Sequence, residues 1–567
     1  MPLGSALGSF RLLLRNLNVN KSTAHVIKKE KSEKPFVFSS DSIKRLERGS
    51  AEEFGYSSEY VQSFLNELSN DLSIRANRIL VVKGNKVIAE KYVSPYVPDA
   101  WDCVFSATKT VTALALGALY DEGKVDLNMP ACDILGVTKR VGNLQNKKIT
   151  LKHLLTMTTG NTFNELESAA SLKWVKGFFD SPNKFPIGKK FEYNSLNTFI
   201  IGACVEKLSG KPLSEYVQEK IFDPLGINET FFERSPEGIA KSGWGLYILP
   251  EDMAKLGIMM RDNGMYDGKR VLSEKWIKKM STKRFAATKA GHRFDYGYQM
   301  WADDEKNFCC FNGMYNQDIL IYRNSGFVIV LCCANNEAFH GSNLYAIAEK
   351  YFAAERPGDF PLVKTGSSHE IENLEKLQRY YDLIKNKEYF PVEKKANSCG
   401  ILPLILQNEM GTYVQGIGKM IFREENGEYA LIVRENGKDE TIRFDFGDGI
   451  RQRFEFYGNL YDCAASGRFY LSGKGEPFFV LRVYFLEFAS SRYITVHFGK
   501  DKNVLSAEFS ENPGLEFIQA LLETQDKTTK ALIGGAMKLV DPDLISTKAR
   551  NIFSPTFTLK HEEKEAE

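Results

Sequence analysis

Apolar positions recur at two different periods along this chain, and the change of period divides it. Over residues 58–70 they return every three to four positions, the spacing of one helix face. Residues 78–83 and 86–93 are apolar-rich runs on either side of Gly84-Asn85, which predicts a β-hairpin with a two-residue turn. A long apolar stretch over 110–119 follows Val104-Phe105 and predicts a helix; mostly helical and loop sequence then runs to about residue 290. Strands return at 318–322 and 327–332, joined by Arg323-Asn324-Ser325-Gly326, and a helical pattern at 343–352 closes the region. Strands at both ends with helices between them imply one sheet assembled from the two termini of a domain.

Pro357, Gly358 and Pro361 mark a break, and a helix is expected over 371–384. Beyond it the period shifts to two. Short alternating runs at 429–433, 451–457, 468–471, 478–485 and 493–498 are separated by turn signals such as Asn426-Gly427 and Asn436-Gly437. That spacing predicts a second, all-β domain, a small barrel or sandwich. The chain thus reads as an irregular extension (1–50), a catalytic-size α+β domain (51–357), a linker with a helix (358–398), and a β-rich accessory domain ending in a charged tail (399–567).

Composition narrows the function classes. The 567 residues are 43% hydrophobic and 26% charged, with a net charge of +2. No long single-sign run exists, so nucleic-acid binding has no electrostatic footprint. The nine cysteines are odd in number, lack a C-x-x-C pair and sit partly in apolar runs, which reads as free thiols in a reducing compartment. The seven histidines are dispersed, and neither a metal nor a cofactor is expected. Arg11 interrupts the apolar run at 10–14, leaving no secretory h-region and no membrane span. The first 29 residues hold basic but no acidic residues; a disordered tail and a cytoplasmic location are the expectation. Oligomeric state is open.

Candidate chemistry starts at Ser106-Ala107-Thr108-Lys109. Residues three apart share a helix face, so the Lys109 amine can fold back on the Ser106 hydroxyl and take its proton. The helix N-terminus adds partial positive charge where an oxyanion would develop. His153 reads as a helix-packing residue, and no G-x-S-x-G elbow supports a Ser-His-Asp triad.

An ordered series follows: the segment 149–160 with His153-Leu154-Leu155-Thr156, Tyr193-Asn194-Ser195, Asp223-Pro224-Leu225-Gly226, Gly243-Trp244-Gly245, and Phe311-Asn312-Gly313 before the last two strands. Together with Ser106–Lys109 it resembles the serine β-lactamase/penicillin-binding-protein-like hydrolases. Within them it is most similar to the class C-related branch of esterases, D-amino-acid peptidases and 6-aminohexanoate-dimer hydrolases, over roughly residues 55–356. The resemblance implies a β-lactamase/transpeptidase-like fold, an antiparallel sheet flanked by helices beside a helical subdomain. It implies a metal-free acyl-enzyme on Ser106, with Lys109 and Tyr193 managing protons. Tyr193 stands at the tyrosine of the family's Y-x-N motif, where a nearby ammonium would lower its phenol pKa. The resemblance leaves open which of the two is the base.

Two positions depart from the family. Ser195 stands where β-lactamase-like members carry asparagine, and keeps a single hydroxyl. Phe311-Asn312-Gly313 stands for K-T-G: Gly313 is expected to let the backbone approach substrate, and the Met314 amide to pair with that of Ser106 as an oxyanion hole. The literal Lys364-Thr365-Gly366 lies in the Pro/Gly break and is read as a decoy. Without a lysine at 311 the site lacks the group that binds a substrate carboxylate. The expected reaction is hydrolysis of a small ester, amide or short peptide. D-amino-acid-type peptidase or β-lactamase activity is the alternative, and an inactive binding module a further one. Trp244 and Trp301 are expected in the pocket or the core, and Gln317 as a structural brace of its strand.

Overall fold

The computed structural model describes residues 43–138, 142–169, 171–336, 341–364, 379–392, 400–404, 406–407, 416–435, 437–456, 459–501, 503–514 and 554–561. These fall into two compact units that part at residues 366 and 367.

The first unit is built on one eight-stranded sheet. In chain order its strands are β1 (Glu47–Arg48), β2 (Ala76–Lys83), β3 (Lys86–Tyr92), β4 (Asp295–Tyr296), β5 (Trp301–Asp303), β6 (Phe308–Gly313), β7 (Gln317–Tyr322) and β8 (Phe327–Cys333). Their spatial order is β1-β3-β2-β8-β7-β6-β5-β4. All neighbours are antiparallel except β1 and β3. The joint between β2 and β8, with Leu80 opposite Val330, stitches the two ends of the domain together as the sequence pattern implied. The predicted hairpin forms with Lys83 opposite Lys86.

The residues of the central strands β2, β8, β7 and β6 are buried on both faces, so side-chain alternation divides them between two cores. Leu80, Val82, Phe311, Ile319, Val328 and Val330 face one core with helices α2 (Thr108–Asp121), α3 (Ser195–Ser209) and α4 (Pro250–Arg261). Ile79, Val81, Cys310, Leu320, Ile329 and Leu331 face the other, with α1 (Ser58–Asn70) and α5 (Leu344–Phe352). Helix α2 is buried from Thr108 through Leu119, which explains its apolar run without a polar stripe.

The second unit is a ten-stranded antiparallel sheet. Its edge strands are Lys438–Phe444 and Ile450–Phe456. The Gln452 side chain joins those edges, accepting from the Arg443 N–H at 2.9 Å and donating to its carbonyl at 2.5 Å. Gly467 N–H also donates to the Asp445 carbonyl at 2.7 Å. The result is a nearly closed all-antiparallel barrel, which leaves few backbone groups unpaired. Phe422, Phe444, Phe469 and Phe479 fill its interior around Tyr381.

Part of the stretch expected as a linker belongs to each unit. Val363 N–H donates to Ser63 Oγ and its carbonyl accepts from Asn66, both on α1, while Glu388–Pro391 is a strand of the barrel. Residues 371–378 of the expected helix, the Thr365-Gly366 of the decoy string and the tail beyond 561 lie outside the described residues. Among the described residues, no helix is long and apolar enough to cross a membrane.

Candidate active site

The nucleophile candidate sits where an extended segment turns into α2. Phe105 holds φ at +42°, a left-handed conformation that a bulky residue adopts only when its surroundings impose it. Val104 N–H is tied to the Leu246 carbonyl at 2.9 Å, and the Phe105 ring packs edge-on against Tyr315 at 5.3 Å. Ser106 then lies in a single 3-10 turn, Phe105–Ala107, that leads into α2.

One turn on, Lys109 points back, as the spacing predicted. Its Nζ donates to Ser106 Oγ at 2.8 Å, to Ser195 Oγ at 2.8 Å and to the Gly243 carbonyl at 2.7 Å. An ammonium has three donors, and each has found an acceptor. Lys109 is nonetheless fully buried, and loss of hydration brings its pKa down to about 7; the Glu165 charge acts weakly the other way. Gly243 is required here, because a Cβ would run into the Ser195 backbone and close off the carbonyl's approach.

Tyr193 completes the cluster. Its hydroxyl hydrogen-bonds Ser106, and its ring lies 4.8 Å from Lys109 Nζ. The ring stacks on Trp301 at 5.8 Å, which places Trp301 behind this cluster. The expected fall in the Tyr193 pKa does not occur. Burial pushes it up, outweighing the Ser106 hydrogen bond, and leaves a neutral phenol.

Ser195 opens α3 and turns its hydroxyl to Lys109. Asn194 is the helix N-cap, accepting from Leu196 N–H at 2.8 Å; its amide also donates to the carbonyls of Asn161 (3.0 Å) and Phe163 (2.9 Å). That fixes the segment leading into a short helix, Glu165–Ala169, whose first residue accepts the Ser195 N–H on Oε1 at 2.9 Å. Sequence reading missed Glu165 and the Gly243 carbonyl. An exposed glutamate in a polar stretch carries no local signal, and a carbonyl carries none at all.

The strand β6 comes alongside. Gly313 is a close-packing glycine, with the Val104 carbonyl pressed against the place a Cβ would take. Tyr315 and Asn316 follow with φ of +65° and +64° in the three-residue loop joining β6 to β7. Among the described residues the Met314 N–H has no acceptor. Beneath the loop lies a buried carboxylate. Asp318 accepts from Asn312 (2.7 Å), Asn316 (3.1 Å), Tyr345 Oη (2.7 Å) and the Gly313 amide. Burial raises its pKa to about 6 against the pull of those four donors. Gln317 donates to the Cys333 carbonyl at 2.6 Å, the bracing expected of it. Phe311 is buried and apolar. His153 caps its own helix against Thr150. Trp244 stacks on Trp174 at 5.5 Å.

A family model described as Beta-lactamase matches residues 61–352, the span that carries every group above. The chain belongs to the Beta-lactamase family. As a member it is a hydrolase related to the β-lactamases. It is 24% identical over 282 residues to the 6-aminohexanoate-dimer hydrolase of Paenarthrobacter ureafaciens, covering 44% of this chain and 70% of that protein. It is 25% identical over 274 residues to the teichoic acid D-alanine hydrolase of Staphylococcus aureus (strain NCTC 8325 / PS 47), covering 42% of this chain and 64% of that protein. Among solved structures, the penicillin binding protein from Bacillus halodurans aligns with a TM-score of 0.40 at 21% identity. That alignment covers 52% of this chain and 99% of the other.

Proposed function

We propose that this Beta-lactamase family member cleaves a small ester or amide through an acyl-enzyme on Ser106. The observation that carries the reading is Lys109, a buried amine with a pKa of about 7 whose Nζ lies 2.8 Å from Ser106 Oγ. In the unprotonated form it takes the hydroxyl proton as Oγ forms its bond to the substrate carbonyl carbon. The Ser106 and Met314 amides receive the resulting oxyanion. Tyr193, neutral and bonded to Ser106, passes its proton to the leaving group as the scissile bond breaks, and the Lys109 ammonium restores it. Water deacylates by the same route in reverse. Ser195 and the Gly243 carbonyl orient Lys109.

Phe311 supports uncharged or cationic substrates over those with a carboxylate, since no lysine stands there to pair with one. The eight described cysteines are buried and free, in keeping with a reducing, cytoplasmic setting. Labelling with a fluorophosphonate probe and turnover of p-nitrophenyl esters test the reading. Wild type is expected to form an adduct that Ser106→Ala lacks. No Ser106-dependent adduct together with no ester cleavage refutes it and leaves the binding-module reading standing.

A further inference from the structure

The charge that acts on the Ser106 cluster from outside has a definite sign. Lys109, inside it, has all three donors engaged and is shielded from solvent. Phe311, at the position of the K-T-G lysine, brings no cation. Glu165 does bring an anion. It is exposed to solvent, yet it is anchored on the residue that contacts Lys109, because Oε1 accepts the Ser195 N–H at 2.9 Å. The Asn194 amide holds the segment just before it through two backbone carbonyls. Its charge reaches both Lys109 and Tyr193, raising the pKa of each. A carboxylate held this close to both groups will also be felt by a substrate bound between them.

We infer that Glu165 is a specificity-determining residue that selects substrates carrying a cationic group, such as an ammonium, near the scissile bond. The inference rests on the acyl-enzyme reading above and adds the substrate's charge to it. A second role for the same carboxylate is visible: its hydrogen bond to the first amide of α3 also caps that helix. Capping serves every substrate alike, whereas charge selection depends on the substrate. Glu165→Gln separates the two, since the amide oxygen still accepts from Ser195 but the charge is gone.

Two matched pairs of probes place the charge on either side of the bond. On the acyl side, p-nitrophenyl 6-aminohexanoate is compared with p-nitrophenyl heptanoate. On the leaving-group side, acetylthiocholine is compared with 3,3-dimethylbutyl thioacetate. In wild type, kcat/KM is expected to favour the cationic member of at least one pair by roughly three- to tenfold, the size of one partly screened charge pair. Half-molar salt should shrink that ratio, and Glu165→Gln should bring it to about one whatever the absolute rates do. Ratios near one in wild type, or a wild-type preference that survives in Glu165→Gln, overturn the inference while Ser106-dependent turnover keeps the hydrolase reading intact. Equal loss on all four probes with a lowered melting temperature assigns Glu165 to capping alone and also overturns it. No Ser106-dependent turnover of any probe removes both readings together.

Discussion

The pairing of Ser106 with Lys109 is decided within one helical turn, and its protonation by the burial of one amine. With the Lys109 pKa at about 7, the unprotonated base is populated above that pH and lost below it. Ester kcat/KM is therefore expected to fall about tenfold per unit on the acid side of this pKa, as a pH–rate profile of the free enzyme would record. Lys109→Arg keeps donors for Ser195 and Gly243 but stays protonated at every accessible pH. It should lose at least about a thousandfold in kcat and show no such acid limb; a retained limb would assign the proton transfer to another group. At this scale the sequence was legible where partners are close along the chain. Tyr193 was found through its motif, but its protonation state was misjudged, because burial against Trp301 and Tyr296 is not a local property. Glu165 was missed because its relation to Ser195 spans 30 residues of chain.

Among the elements, the β6–β7 hairpin matters most to the site. Four donors converge on Asp318, and three of them belong to residues 312, 313 and 316, which frame the Met314 amide. Asp318→Asn would turn an NH2 group toward donors it cannot serve. The expected cost is about 2–4 kcal/mol in urea unfolding, with a fall in kcat larger than any rise in KM. A stable variant with unchanged kcat would show that the loop holds its shape without the charge. Periodicity read the β2–β3 hairpin, α1, α5 and the inner barrel strands well. It missed β6, whose apolar run, Phe308 to Phe311, is only four residues long between Asn307 and Asn312. It also missed barrel strands such as Lys438–Phe444, whose charged residues look outward and read as loop.

On the scale of the molecule, the Ser106 turn is held by contacts between distant segments. Arg78 on β2 and Asp102, just before Ser106, form a fully buried ion pair at 2.6 Å. Asp102→Ala strands a buried guanidinium and is expected to cost about 3–5 kcal/mol by denaturant unfolding. The double variant with Arg78→Met should recover much of that loss; failure to recover would mean that the pair fixes local geometry beyond its own charge balance. The sequence by itself determined strands β2, β3, β7 and β8 and helices α1, α2 and α5 of the first unit, the all-β nature of the second, and the Ser106–Lys109 pair, because each depends on neighbours within a few turns or on a pattern repeated along one strand. Only the tertiary structure decided the register of β2 on β8, the closure of the barrel through Gln452, the depressed pKa of Lys109 and the placing of Glu165. Each of those follows from which distant groups share a buried space, and local pattern does not encode that.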